Sequence, residues 1–205
     1  MFHEFQENDV HGFYHPGSGQ DAIVLAHGAG SNSRAPLLVA VAEEFVRLGL
    51  VVLRCDLPFR RAHAGPPRPA DAARDREGLR RAVDAVQRIV QGRVFLGGHS
   101  YGGRQATMLA AEDPAVAPAL LLLSYPLHPP GKPAQLRTAH LPQLRVPALF
   151  AHGSRDDFGT RDEMETALAL IPARTRLLVI EGAGHDLKRG RDLTFCAAFI
   201  DFLNQ

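Results

Sequence analysis

Short β-rich runs recur along the chain at Ala22–Ala26, Leu50–Arg54, Val94–Leu96, Leu120–Leu123, Ala148–Ala151 and Arg176–Ile180. Most are apolar without interruption rather than alternating, the pattern of strands buried on both faces of a parallel sheet. Helical patterns separate them, at about 36–48, 70–90, 101–112, 160–170 and 190–203. In the second, Leu79, Val83, Val86 and Val90 fall at i, i+4, i+7 and i+11 and make one apolar stripe. This alternation predicts an α/β fold: a mostly parallel, doubly wound sheet, helices on both faces and right-handed crossovers. With 205 residues, the chain is expected to fold as one domain, 1–205.

Two longer, proline-rich connections follow strands, at Asp56–Pro69 and Ser124–Pro142. In a parallel sheet they emerge at the carboxyl edge, where ligands bind, so each is either a site wall or plain surface connection. The formal charge is +1, which leaves no electrostatic footprint for nucleic acid. Lys132 and Lys188 are the only lysines, and the arginines are spread among acids rather than massed. Cys55 and Cys196 offer neither zinc spacing nor a disulfide framework and read as buried thiols. The acidic N-terminus MFHEFQENDV lacks the apolar core of a signal peptide, and no run approaches the roughly 18 apolar residues of a membrane span. The expectation is a cytoplasmic protein that binds neither membrane nor nucleic acid, with no oligomeric state specified.

The stretch RVFLGGHSYGGR, residues 93–104, carries the chemistry. A glycine-rich turn from strand to helix either cradles a phosphate or exposes a nucleophile. Gly98 to Gly103 matches the phosphate-loop glycine spacing, but Arg104 and Gln105 stand where that loop needs Lys and Ser or Thr. The lysine that reaches the terminal phosphates and the hydroxyl that binds Mg²⁺ are both missing. Gly98-His99-Ser100-Tyr101-Gly102 instead fits the nucleophile elbow G-x-S-x-G in full. The sharp turn leaves room only for small residues two before and two after the serine, and both are glycine.

A serine nucleophile needs a base to take its proton and an acid to orient that base. On a sheet of this kind the order is nucleophile, acid, histidine. The run PALFAHG leads into Ser154-Arg155-Asp156-Asp157, and RLLVIEG leads into Ala183-Gly184-His185-Asp186. His185 is the expected base and Asp156 the expected acid, with Asp157 the alternative. Asp186 is a weaker candidate, because a sequence neighbour rarely reaches round to Nδ1. For the oxyanion hole, the expected backbone donors are Tyr101, just after the nucleophile, and Ala29 in the His27-Gly28-Ala29-Gly30 loop, with Gly28 able to displace Ala29.

Together these residues resemble the α/β-hydrolase superfamily. More narrowly, LAHGAGSNS, VLRCDLPFR, FLGGHSYGGR, YPLHPPGKPAQLRTAHL, HGSRDDFGTRDE and GAGHDLK are similar to its small lidless members. These are the dienelactone-hydrolase-like enzymes and the predicted hydrolases grouped with testis-expressed protein 30. The resemblance implies an α/β-hydrolase fold without a large cap domain. The narrower group usually carries Lys or Arg before the nucleophile and Met after it, where this chain has His99 and Tyr101. It usually has Asp-Pro after the acid strand, which favours Asp156 over Asp157. Dienelactone hydrolases use a cysteine nucleophile, so Ser100 argues against that particular substrate.

His27, His99, His152 and His185 all fall at carboxyl ends of strands, yet no pair has helical metal-ligand spacing. His27 and His152 are expected to orient loops through hydrogen bonds, and neither a metal nor a cofactor is expected. The function this sequence predicts is serine-dependent hydrolysis of a small-molecule carboxylic ester or thioester. The alternative is a hydrolase-fold scaffold that binds partners without turnover, a use the resemblance allows.

Overall fold

The computed structural model describes residues 2–187 and 193–205. Eight strands form one sheet in the order β1-β2-β4-β3-β5-β6-β7-β8. They are β1 (His3–Glu7), β2 (Val10–His15), β3 (Ala22–Ala26), β4 (Val51–Cys55), β5 (Val94–His99), β6 (Leu120–Leu123), β7 (Ala148–Gly153) and β8 (Thr175–Ile180). From β4 across to β8 every pairing is parallel, while β1 and β2 form an antiparallel hairpin at the β4 edge.

The parallel strands bury side chains on both faces, which is why their sequences are apolar throughout. In β3, Ala22, Val24 and Ala26 join one core and Ile23 and Leu25 the other. The first core is closed by α3 (Ala72–Gln87), α4 (Tyr101–Glu112) and α5 (Arg161–Leu168), with Leu79, Val83, Leu109 and Met164 turned inward. The second is closed by α1 (Pro36–Arg47) and α6 (Thr194–Leu203), where Phe45 and Phe95 both meet Phe199 edge to face. At about 25 cal/mol per Å² of apolar surface removed from water, these two layers dominate the stabilisation.

Among the described residues, the structure departs from the sequence expectations at several places. The hairpin β1-β2 has no counterpart among the expected strands. Its two-residue turn is Asn8-Asp9, both with positive φ (45° and 66°), the geometry of a tight hairpin turn. The connection expected over Asp56–Pro69 contains a short helix, α2 (Pro58–Ala62), begun by a proline at its first helical position. The last helix starts at Thr194. The first residues of the 190–203 pattern and Lys188 lie outside the described residues. No helix of the described residues is long and apolar enough to cross a membrane.

Candidate active site

β5 ends at His99, and the chain turns through Ser100 into α4. Ser100 has φ 52° and ψ −116°, a left-sided conformation that costs a non-glycine residue energy and persists only where its surroundings enforce it. A Cβ on Gly98 would lie 2.7 Å from the Ala26 carbonyl oxygen, and one on Gly102 would lie 2.6 Å from that of His27. The two glycines let the turn close against the end of β3. Ser100 is fixed from below by its own N–H, which donates to the Leu123 carbonyl at the end of β6 (2.8 Å).

The loops after β7 and β8 meet this turn. Ser100 Oγ lies 2.8 Å from His185 Nε2, and His185 Nδ1 lies 2.9 and 3.0 Å from the two oxygens of Asp156. With Nδ1 donating to the carboxylate, Nε2 carries the lone pair and accepts from the serine hydroxyl. Asp156 is 5% exposed and also accepts the Phe158 N–H at Oδ1 (2.9 Å), so its carboxylate is held in a turn of its own making. Asp157 and Asp186 are both exposed. The structure thus brings Ser100, His185 and Asp156 into one hydrogen-bonded line.

The loop His27-Gly28-Ala29-Gly30 passes beside Ser100, close enough that a Cβ on Gly28 would lie 3.4 Å from the serine Cβ. The Gly28 carbonyl accepts from His27 Nδ1 (2.8 Å) and from the Ser31 N–H (3.1 Å). That carbonyl belongs to the peptide whose N–H is Ala29's, so both bonds fix the plane of this amide. Tyr101 is the first residue of α4, and its N–H has no carbonyl one turn earlier in the helix to receive it.

The remaining histidines at the sheet edge have structural partners. His27 donates through Nδ1 and accepts the Leu57 N–H at Nε2 (3.0 Å), which fixes it neutral, and burial depresses its pKa in the same direction. His99 donates from Nε2 to the His185 carbonyl (2.8 Å), and burial lowers its pKa as well. His152 donates from Nε2 to the Gly159 carbonyl (2.7 Å), and its Nδ1 stands 3.8 Å from Asp156 Oδ2. No group of three His, Cys, Asp or Glu side chains among the described residues is arranged to hold a metal ion.

A strand order of this kind with a strained serine at the end of β5 narrows the fold family sharply. Residues 19–195 match the family model of the alpha/beta hydrolase domain. The chain belongs to the α/β hydrolases. It is also similar to dienelactone hydrolase from Anabaena variabilis, with 25% identity, a TM-score of 0.75 and coverage of 97% of this chain and 95% of that one. An uncharacterized protein of Mycobacterium tuberculosis is 29% identical over 196 residues, covering 85% of this chain and 67% of that protein. Polyketide synthase ThaQ of Burkholderia thailandensis is 40% identical over 68 residues, a third of this chain, and the match spans only 3% of that synthase.

In this α/β hydrolase the two proline-rich connections flank the elbow. From the first, Arg60 donates to the Ala29 carbonyl (2.6 Å) and the Ser31 carbonyl (2.8 Å), strapping the loop after β3. From the second, the His128 N–H donates to the Phe158 carbonyl (3.1 Å), and Leu127 packs against Gly159. Sequence reasoning missed three residues that touch this machinery: Asp75, Arg60 and Phe158. Arg60 sits in the first proline-rich connection, one of the two expected site walls, and Phe158 lies in the loop after β7, two residues past the expected acid. Asp75 lies in a helical pattern on which it reads as solvated, yet it is fully buried.

Proposed function

We propose that this α/β hydrolase cleaves carboxylic esters or thioesters of small molecules through an acyl-enzyme on Ser100. The observation that carries the reading is the unbroken line from Ser100 Oγ through the His185 imidazole to the buried Asp156 carboxylate. In the first half-reaction Ser100 Oγ attacks the carbonyl carbon while His185 Nε2 takes its proton. Asp156 accepts the Nδ1 proton in a hydrogen bond and offsets the positive charge the ring acquires. The carbonyl oxygen becomes an oxyanion facing the N–H groups of Ala29 and Tyr101. The imidazolium then returns its proton to the leaving alkoxide or thiolate as the carbon–oxygen or carbon–sulfur bond breaks. Water repeats the sequence on the acyl-serine, releasing the acid and restoring the serine.

Substrate choice follows from access. No large cap domain overlies the elbow among the described residues. A nucleophile with no cap domain above it suits small or protruding acyl groups. The test is hydrolysis of a series of esters and thioesters of increasing acyl length by the wild type and by Ser100→Ala. Turnover of short-chain substrates that drops by several orders of magnitude in the variant is expected. A folded variant keeping more than about a tenth of the wild-type rate contradicts the assignment, because removing a true nucleophile costs far more.

A further inference from the structure

Asp75 stands outside the Ser-His-Asp line, yet its carboxylate touches both sides of the elbow. It is completely buried on α3, and each of its oxygens has a different partner. Oδ2 accepts the Tyr101 hydroxyl at 2.7 Å. Oδ1 accepts the Phe59 N–H at 2.9 Å, at the start of α2, where a backbone donor has no partner within the helix. Burial pushes the Asp75 carboxyl above its ordinary range, the cost of keeping a carboxylate in this position, and the bonds to Tyr101 and Phe59 pull against that.

Each arm leads to one of the two amides that face the oxyanion. The Tyr101 arm is direct: the anchored phenol belongs to the residue whose N–H is one donor. The Phe59 arm runs through α2. Arg60, the next residue, spans from this helix to the Ala29 and Ser31 carbonyls, and Leu57 on its other side donates to His27 Nε2. Those contacts hold the loop that carries the Ala29 N–H. The Phe59 ring also packs edge to face on Tyr101, with centroids 5.6 Å apart, so the two arms brace each other.

We infer that Asp75 is a positioning residue that sets the spacing of the two oxyanion donors, Ala29 and Tyr101, from a single buried carboxylate. The inference rests on the proposed serine chemistry for its catalytic consequence, though the mechanical coupling is independent of it. Two donors stabilise an oxyanion only when both lie at hydrogen-bond distance from one oxygen position, and a site loosened by a fraction of an ångström loses most of that gain. A shared anchor fixes their separation without touching the substrate.

Three variants separate this role from plain structural support. Asp75→Ala removes both arms and leaves the Phe59 N–H and Tyr101 hydroxyl without their acceptor. Tyr101→Phe removes one arm only. Asp75→Asn retains both, since its amide oxygen can accept from Phe59 while its NH₂ donates to the tyrosine oxygen. Hydrogen-exchange mass spectrometry on segments 27–34 and 98–104 reads the coupling directly. Asp75→Ala is expected to lose protection in both segments, Tyr101→Phe in 98–104 alone, and Asp75→Asn in neither. With a short-chain ester, Asp75→Ala is expected to lower kcat by about 10²-fold, the scale of one lost oxyanion donor, with KM little changed. Asp75→Asn recovers most of that loss. Unchanged protection of both segments in a folded Asp75→Ala overturns the inference, as does a loss confined to KM. If the wild type hydrolyses no ester, the serine-hydrolase reading fails, and the exchange pattern still decides whether Asp75 couples the two loops.

Discussion

The ring of Phe158 lies stacked on the imidazole of His185, with centroids 4.1 Å apart and planes 27° apart. Phe158 is two residues past Asp156 and donates its own N–H to that carboxylate, so one turn supplies both the acid and a lid for the base. An aromatic face attracts a cation, and in the proposed mechanism His185 would become one on taking the serine proton. Phe158→Leu, which retains bulk and loses the π-face, should lower kcat about two- to tenfold, the scale of a stacking contribution of ~0.5–1.5 kcal/mol. Phe158→Tyr should stay near the wild type. Steady-state kinetics of the two purified variants checks the ranking, and equal rates contradict it.

The acid can be tested within one dipeptide. Asp156→Asn is expected to lower kcat/KM by roughly 10⁴, because the amide no longer fixes the tautomer of His185 or balances its charge. Asp157→Asn changes an exposed side chain and should leave the rate within a few-fold of the wild type. The opposite ranking would move the acid to Asp157.

Much of the geometry of this candidate site follows from order along the chain, which places Ser100, Asp156 and His185 after β5, β7 and β8. The glycines at 98 and 102 and the histidine after the last strand report a strained turn and a loop position, both local properties. The resemblance favours Asp156 over Asp157, but two adjacent acids look alike in sequence; their difference in burial, Asp156 enclosed and Asp157 exposed, is visible only in the structure. The β1-β2 hairpin lacks the signal used for the other strands: β1, HEFQE, is polar and largely exposed, and β2, VHGFYH, is largely buried but has its apolar residues interrupted by His11 and Gly12. Its Asn8-Asp9 turn was the available signal. Asp75 was hidden for a different reason: DAARDREG has the look of a solvated first turn, and only the tertiary approach of Tyr101 and α2 gives that carboxylate its partners.

Gly102 should be among the least replaceable residues for stability. The Cβ of an alanine there would meet the His27 carbonyl oxygen at 2.6 Å and the Ala26 carbonyl carbon at 2.8 Å, both backbone atoms that move only with β3. Gly102→Ala is expected to cost about 1–3 kcal/mol, a typical overpacking penalty. Gly30→Ala serves as the control, since nothing lies within 4 Å of the added carbon. Urea midpoints should fall for the first and hold for the second, and equal midpoints contradict the packing argument.

Stability should also fall on mild acidification. His15 and His140 are each held down to about 4, chiefly by burial, with Arg54 adding to the effect at His15 and Arg104 and Arg76 at His140. Arg54 Nε donates to His15 Nε2 at 2.8 Å, a bond that requires the neutral ring. Both folded values lie below the ordinary imidazole value near about 6.5, so the unfolded chain binds more protons between the two. Their contribution is complete above that window and is lost as pH falls through it. Unfolding near pH 5 should take up about two protons from this pair alone. The urea midpoint should therefore drop between pH 7 and 4.5, and His15→Gln, whose amide oxygen can still accept from Arg54, should flatten the slope. A midpoint constant across that range would contradict the assignment.

Every step of the proposed chemistry requires Ser100 to be an activated nucleophile, and covalent labelling reads that without any choice of substrate. A fluorophosphonate should add once to the wild-type protein, at the peptide carrying Ser100, as seen by intact and peptide mass spectrometry. Labelling should vanish in Ser100→Ala and slow by orders of magnitude in His185→Ala, which keeps the hydroxyl but loses its base. A folded wild-type protein that takes up no label, or a Ser100→Ala variant labelled as fast as the wild type, would contradict the account.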